Sequence, residues 1–181
     1  MKFILFGALS TFIFALPIER NWNPVVAKAK MTFKIKGPFG DVNGSFSGLK
    51  SSIKFDEKDL SASSISASID AKSVKTGIAL RNSDLRKKEE WLNTDKFPTI
   101  SFKSTKIEKD ANGYKAFGQL TLKDVTKPIE IPFTFSPAGN TRTFKGQFVI
   151  KREDYHIGKD GGSVGSPITI NLEVPVQRTA K

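Results

Sequence analysis

Cysteine is absent from this chain of 181 residues, and histidine occurs once, as His156. Without cysteine the chain can form no disulfide and offers no thiolate as a nucleophile or a metal ligand. A single histidine cannot build the multi-histidine sites that are typical of zinc and copper proteins. The sequence therefore predicts neither a metal ion nor another cofactor.

Acidic side chains offer no evident acid–base site either. Glu153 and Asp154 are adjacent, and adjacent side chains of a strand point to opposite faces of the sheet, so they could not act on one substrate together. His156 beside them is interpreted as a surface residue. The sequence therefore favours a protein that binds its ligand and is not an enzyme.

Positive charge is in excess, with 29 Lys and Arg against 18 Asp and Glu and a formal net charge of +11. Much of it comes from single lysines at alternate positions, which is typical of the solvated face of an antiparallel sheet. A basic protein is attracted to anionic partners, so contact with an anionic membrane surface is an expectation. Nucleic acid is not expected, because no aromatic residues cluster with the lysines for base stacking.

Long apolar runs are missing outside residues 1–16, MKFILFGALSTFIFAL. Within this segment an apolar stretch follows Lys2 and ends at Pro17, and it is too short to span a bilayer. Residues 1–20 are therefore predicted to be an export signal, with cleavage between about Ala15 and Asn21. The prediction places the protein in the periplasm and its single domain at residues 21–181.

Alternation of apolar and polar residues dominates the rest of the chain and predicts eight β-strands, beginning at Met31. Residues 21–26 contain Pro24 and are predicted to be irregular or an edge. A change of parity after Phe46 predicts a bulge near residues 47–48. Residues 112–113, Asn-Gly, predict a type I′ hairpin, and residues 139–140 predict another turn.

Residues 81–104 interrupt this pattern with a short helix, for which Asn82 and Ser83 are predicted caps. Asp84 is expected in its first turn, and Pro98 ends any helical continuation before the next strand. Antiparallel strands joined mostly by hairpins avoid exposed edges best by closing on themselves. The prediction is all-β: an eight-stranded antiparallel barrel with a short helical insertion between strands three and four.

The chain resembles the YceI-like family of periplasmic lipid- and polyisoprenoid-binding proteins. The resemblance rests on five segments that follow one another in order: GSFSG (44–48), SVKTGIALRNSDL (73–85), KFPTISFKST (96–105), GQLTLKDVTKP (118–128) and KREDYHIG (151–158). It implies a lipocalin-like barrel that holds a polyisoprenoid, an isoprenoid quinone or a similar amphiphilic lipid lengthwise, and it makes a homodimer plausible. Three positions depart from the family pattern: Asp84 replaces a usual His, Asp124 a Gly and Tyr155 a Phe.

An eight-stranded barrel is either filled by its own side chains or wide enough for one ligand. Small inward residues leave room, and phenylalanines supply an apolar lining. The predicted cavity residues are Phe33, Ile35, Phe46, Ile65, Ala67, Ile69, Phe102, Ala116, Gly118, Leu120, Ile131, Phe133, Phe135, Phe148, Ile170 and Leu172.

The predicted cavity mouth, which would receive a lipid headgroup, comprises Arg81, Asn82 and Asp84. Residues alone leave two alternatives open here. Arg81 could instead pair with Asp84 and close the barrel structurally. The phenylalanines could also fill the barrel, which would make it a structural or stress-related interaction protein that acts through its basic outer surface.

Overall fold

The computed structural model describes residues 21–138 and 141–178, and these form one antiparallel sheet of nine strands with one α-helix. The predicted signal segment and the turn predicted at residues 139–140 lie outside the described residues. The strands are β1 (Asn21–Pro24), β2 (Lys30–Gly37), β3 (Gly40–Lys54), β4 (Ser64–Lys75), β5 (Thr99–Asp110), β6 (Gly113–Leu122), β7 (Val125–Ala138), β8 (Thr141–Lys151) and β9 (Pro167–Arg178); the helix is α1 (Ala79–Lys87).

Eight of the strands form a closed ring in the order β2, β3, β4, β5, β6, β7, β8 and β9, with β9 pairing back to β2. The predicted eight-stranded antiparallel barrel is thus confirmed, as is the helix between its third and fourth strands. Closure leaves the ring without an unpaired edge.

Strand β1 corrects the interpretation of residues 21–26 as irregular or an edge. It pairs with the end of β3 through Trp22 and Ile53, and with the end of β9 through Pro24 and Val176. β1 therefore lies between β3 and β9, in line with β2, which pairs with the same two strands farther along the barrel. The short 3₁₀ helix Val26–Lys28 separates the two strands.

The two ends of the barrel carry different connections. The helix end consists of the β2–β3 turn, the segment between β4 and β5 that contains α1, the β6–β7 turn and the β8–β9 loop. The floor end consists of β1, the β3–β4 loop and the β5–β6 turn.

The predicted bulge in β3 is confirmed, and the predicted hairpin is displaced by one residue. Register shifts surround Ser47, and Gly48 adopts φ of +75°, where an L side chain would be strained. In the β5–β6 hairpin, Asp110 pairs with Gly113, so the turn residues are Ala111 and Asn112. Neither has a positive φ, so the predicted type I′ turn is wrong.

Helix α1 begins at Ala79, earlier than the sequence pattern predicts. Asn82 therefore lies inside the helix, and its Oδ1 accepts hydrogen bonds from the backbone N–H and the hydroxyl of Thr76, both at 2.8 Å. No side chain caps the helix, and Asp84 lies beyond the first turn. The predicted caps are wrong, because Asn82 instead fastens the helix to the end of β4.

Glu153 and Asp154 lie in a 3₁₀ helix, Glu153–Tyr155, rather than in a strand. The argument that their side chains point to opposite faces of a sheet therefore does not apply. Across the described residues, no group of three or more His, Cys, Asp or Glu side chains could hold a metal ion. In the same part of the chain, no helix has the length and apolar character to cross a membrane.

Six of the seven buried aromatic side chains of the described residues lie at the floor end, in a cluster around Phe55. Phe55 is 1% exposed, and its ring lies edge-on to Tyr114 and Phe135, with centroids 5.0 Å away in each case. The Trp22 Nε1–H donates to the Phe55 carbonyl oxygen at 2.9 Å, which ties β1 to this cluster. We call it the floor cluster: Trp22, Ile53, Phe55, Ile107, Tyr114, Ala116, Phe133, Phe135, Phe144 and Val176.

Candidate functional site

A cavity of about 610 Å³ occupies the barrel between the floor cluster and the helix end. Its size falls within the range of roughly 300 to 1,000 Å³ that is common for small-molecule sites. The inward faces of the strands form the wall, and their side chains are almost all apolar. Such a cavity offers burial of apolar surface and few hydrogen-bond partners.

The structure brings the predicted cavity residues to one face, except for Gly118 and Phe135. The predicted residues that line the cavity are Phe33, Ile35, Phe46, Ile65, Ala67, Ile69, Phe102, Ala116, Leu120, Ile131, Phe133, Phe148, Ile170 and Leu172. The period of two in the sequence predicted this placement because every second residue of a closed strand faces inward.

Gly118 and Phe135 lie elsewhere for different reasons. The ring of Phe102 fills the space beside Gly118, so that a Cβ on Gly118 would come within 2.6 Å of it and would collide with the Lys103 carbonyl oxygen. Phe135 packs in the floor cluster, with its ring 4.5 Å from Phe144 and 5.0 Å from Trp22. The prediction that Gly118 leaves free space is therefore wrong.

Several lining residues escaped the sequence analysis although they follow the same alternation. Strand parity could have identified Val42, Leu49, Ile53, Ile100, Phe144, Ile150, Ile168 and Val174, which all lie in strands. Trp91, Leu92, Ile157 and Val164 come from the connections at the helix end, where no periodic pattern exists.

Polar side chains reach the cavity mainly at the helix end. Arg81 and Asp84 line it there as predicted, whereas Asn82 is absent from the lining and binds Thr76. Asp84 pairs with Lys88, with Nζ and Oδ2 3.1 Å apart. Within the described residues no ion pair joins Arg81 to Asp84, so the alternative in which this pair closes the barrel has no support.

Arg152 is a polar residue of the cavity lining that the sequence analysis missed. It is 2% exposed, and its guanidinium donates to the carbonyl oxygens of Gly165, Ile157 and Val164 at 3.0, 2.8 and 2.9 Å. The same guanidinium pairs with Glu153 at 3.0 Å. These bonds satisfy a buried charge and fix the path of the β8–β9 loop across the helix end.

Three connections at the helix end are fastened together by main-chain acceptors. Lys123 in the β6–β7 turn donates from Nζ to the carbonyl oxygens of Glu89 and His156, at 2.9 and 2.7 Å. The Gly158 N–H donates to the Glu90 carbonyl oxygen at 2.5 Å. Burial is the main cause of a lowered pKa for Lys123. These contacts cover one side of the helix end.

Asp124 stands where the family pattern has Gly, and it contacts His156. Its Oδ1 lies 3.3 Å from Nδ1 of His156. The pKa of Asp124 is lowered, first by its own backbone N–H and then by His156. The covered side leaves the mouth on the other side, where the cavity lining includes residues 37–41 of the β2–β3 turn, Arg81 and Val164.

Comparison with known proteins agrees with this architecture. A UPF0312 protein of Yersinia enterocolitica is 36% identical over 144 residues, which cover 76% of this chain and 71% of that protein. A UPF0312 protein of Pectobacterium atrosepticum is 33% identical over 167 residues, covering 88% of this chain and 86% of that protein. Both likenesses extend over most of the barrel.

Solved structures share the fold. BcnA of Burkholderia cenocepacia superposes with a TM-score of 0.78 at 26% identity, over 84% of this chain and 99% of BcnA. A polyisoprenoid-binding domain from Saccharophagus degradans superposes with a TM-score of 0.66 at 16% identity, over 87% and 98% of the two chains. The model of the YceI-like domain matches residues 22–176. The chain therefore belongs to the YceI-like family, as its sequence motifs indicated.

Proposed function

We propose that this protein binds a long-chain amphiphilic lipid, a polyisoprenoid or an isoprenoid quinone, without transforming it. The observation that carries the proposal is the apolar cavity of about 610 Å³. The floor cluster closes one end of it, and the other end opens between polar groups. This polarity matches an amphiphile that enters tail first. Its headgroup would then lie near Arg81, Asp84 and Arg152.

Burial alone supplies enough free energy for such binding. Each methylene removed from water contributes about 0.8 kcal/mol, so an isoprene unit of five carbons contributes roughly 3 to 4 kcal/mol before ordering costs. A few units would suffice for tight binding. The rings of Phe33, Phe46 and Phe148 provide apolar surface without a hydrogen-bond donor, so they offer no group that would select a polar ligand.

The Saccharophagus degradans structure supports the ligand class, since it is that of a polyisoprenoid-binding domain. The proposal for this chain extends to a periplasmic location, reached through the signal predicted in residues 1–20, and to a role in carrying or sequestering lipid. A homodimer stays a prediction. The packed-barrel alternative loses its main argument, because the phenylalanines are divided between the floor cluster and the cavity wall.

The direct test is native mass spectrometry with lipid extraction on protein purified from its own periplasm. A co-purifying isoprenoid or quinone would support the proposal and identify the ligand. A ligand-free mass, together with no uptake of added polyprenol, would contradict it and direct attention to the basic outer surface.

A cavity-filling variant sharpens this test. Ala67→Phe places a ring into the cavity from the middle of β4, where Ala67 pairs with Ser51 and Phe102. We expect polyprenol uptake to fall about tenfold or more while the circular dichroism spectrum stays unchanged. Ala62→Phe, the same substitution in the exposed β3–β4 loop, is the matched control. Gly118→Phe is unsuitable because it would collide with the barrel wall.

A further inference from the structure

We propose that the protein docks on an anionic lipid bilayer through a docking rim formed by the β2–β3 turn and the start of α1, with Phe39 inserted into the lipid. The inference rests on the proposed function, because it identifies the surface through which a bilayer-derived lipid would reach the cavity. The docking rim comprises residues 36–41 and 75–81.

Exposed apolar side chains concentrate at this rim. Among the described residues, five large apolar side chains are exposed, and three of them lie here: Phe39, which is fully exposed, Leu80 at 73% and Ile78 at 50%. The other two are Val26 near the floor end and Val149 on the outer wall. Single exposed apolar side chains are common on protein surfaces, whereas several at one end of a molecule are typical of an interaction site.

The position of Phe39 suits insertion into a membrane. β4 pairs with β3 from Ser45 onward, and β9 pairs with β2 as far as Ile35. The tip of the hairpin therefore projects beyond its neighbouring strands by several residues, at about 3.3 Å each. Gly40 holds φ of +120° beside Phe39, a conformation that gives the tip its sharp turn.

Phe39 also lines the mouth of the cavity, together with Pro38 and Arg81. A bilayer contacted by this tip would lie directly over the entrance. A lipid tail could then pass from the bilayer to the cavity with little exposure to water, so the free-energy cost of hydrating its methylene groups would be avoided.

The charges of the rim fit an anionic surface. Lys34 and Lys36 share one carboxylate, Asp41, with Nζ–Oδ distances of 2.6 and 2.7 Å, so this trio keeps one positive charge. Lys75 is exposed on the rim, and within the described residues it takes part in no ion pair. Each basic residue close to an anionic membrane strengthens binding about fivefold.

A second copy of the chain is the rival occupant of this surface. The same positive charge opposes it, because two identical basic rims would repel each other when they meet. An anionic bilayer would bury the exposed apolar side chains and attract the positive charge of the rim. It is also the environment from which the lipid would come.

Co-sedimentation with vesicles tests the proposal. The probes are vesicles of equal parts phosphatidylglycerol and phosphatidylcholine, and vesicles of phosphatidylcholine alone. We expect binding to the anionic vesicles, and Phe39→Ser should weaken it about tenfold or more, as loss of one buried phenylalanine implies. Val149→Ser, which removes an exposed apolar side chain from the outer wall, should leave binding unchanged. Equal binding by wild type and Phe39→Ser would overturn the proposal.

A second pair of variants tests the contribution of positive charge to vesicle binding. Lys75→Gln on the rim should weaken vesicle binding several-fold, whereas Lys58→Gln in the β3–β4 loop at the floor end should have little effect. Equal effects of the two substitutions would mean that overall charge, rather than this surface, attracts the membrane, and would overturn the assignment.

The lack of cysteine permits a direct measurement of insertion. A nitrobenzoxadiazole label on Phe39→Cys should shift to shorter wavelength with anionic vesicles, and the same label on Val149→Cys should not. A shift at Phe39→Cys that accompanies a doubled mass in sedimentation, without vesicles, would identify a second copy as the occupant and overturn membrane docking.

Failure of docking can be distinguished from failure of the proposed function. Polyprenol supplied in detergent micelles should bind wild type and Lys75→Gln equally, because Lys75 is exposed on the docking rim and does not line the cavity. Polyprenol supplied in anionic vesicles should transfer to wild type several-fold faster than to Lys75→Gln. No uptake from micelles by either protein would refute lipid binding, whereas micellar uptake with equal transfer from vesicles would refute docking alone.

Discussion

The floor end and the helix end of the barrel use the same residue types for opposite purposes. At the floor end, Phe55 meets four aromatic rings whose centroids lie 5.0 to 5.6 Å away, and it has almost no exposed surface. Toward the helix end, Phe148 belongs to an equally apolar set but is only partly buried, because its ring faces the cavity. The comparison shows that apolar composition does not decide between a packed core and a cavity.

What decides is whether each inward ring finds a partner across the barrel. At the floor end, Trp22 from β1 and Phe55 from the end of β3 add bulk between the strands. Higher in the barrel, Ala67 and Gly146 contribute almost no side-chain volume at positions that face the interior. Both positions border the cavity, in contrast to Gly118, where the ring of Phe102 occupies the adjacent space.

The largest expected effect follows from removing the central ring of the floor cluster. Phe55→Ala should lower the free energy of unfolding by about 3 to 5 kcal/mol, because it leaves a void in a close-packed site. Phe148→Ala should cost only roughly 1 to 2 kcal/mol, because that ring already borders a cavity. Urea unfolding of both variants measures the difference. Equal losses of unfolding free energy would contradict the distinction between a packed floor end and a cavity toward the helix end.

A smaller loss is expected from Arg152→Met, which keeps apolar volume but removes the guanidinium. Three carbonyl oxygens of the β8–β9 loop would lose their donor, and we expect a loss of about 2 to 4 kcal/mol. Hydrogen exchange should increase in residues 157–166 and change little in the floor cluster. Unchanged exchange in that loop would show that other contacts hold the helix end closed.

Acid should loosen the helix end before the floor end. Lys34 and Lys36 hold the pKa of Asp41 below its ordinary value of 3.8, and Lys72 does the same for Asp95. Ser166 is the main cause of a lowered pKa for Glu153. A carboxylate with a lowered pKa stabilises the fold above its unfolded-state pKa, and this contribution is lost as pH falls through the folded-state value.

We therefore expect stability to fall below about pH 4, with residues 152–166 and the β2–β3 turn losing protection first. At the floor end, Asp59 has a lowered pKa, chiefly from Ser61. Hydrogen exchange corrected for the intrinsic effect of pH would measure the order of opening. Simultaneous loss of protection at both ends would contradict the prediction.

The smallest effect should come from the outer wall that both ends share. Glu173 on β9 lies 3.8 Å from Lys30 and 3.9 Å from Lys145; both lysines are exposed and Glu173 is partly exposed. Glu173→Gln should change the free energy of unfolding by less than about 1 kcal/mol, because exposed ion pairs are screened by solvent. A larger loss in thermal unfolding would mean that wall charges, and not only the interior, support the barrel.

Alternation predicted the regular part of the molecule well, for a clear physical reason. In a closed sheet every second side chain faces the interior, so residues such as Phe33 and Leu172 could be assigned to the cavity side from parity alone. Parity does not report depth along the barrel axis. Phe135 and Phe148 therefore looked equivalent in sequence, although one packs in the floor cluster and the other borders the cavity.

The irregular part of the site depended on contacts between distant segments. Arg152 gave no periodic signal, and its role depends on carbonyl oxygens of the loop that follows it. Asn82 has the side chain of a helix cap, yet Thr76 competes for it and the helix begins elsewhere. Such outcomes depend on which partner comes within reach after folding, which local propensity does not encode.

The seam between β2 and β9 has a consequence for the kinetics of folding. Met31 pairs with Leu172, so the ring joins strands near the two ends of the domain. Pairing over such a separation carries a high loop-closure entropy, and barrels rich in non-local contacts fold on a timescale of about milliseconds to seconds. The last strand, β9, must be present before the seam can form, so an emerging chain would keep two strand edges unpaired until β9 has been synthesised.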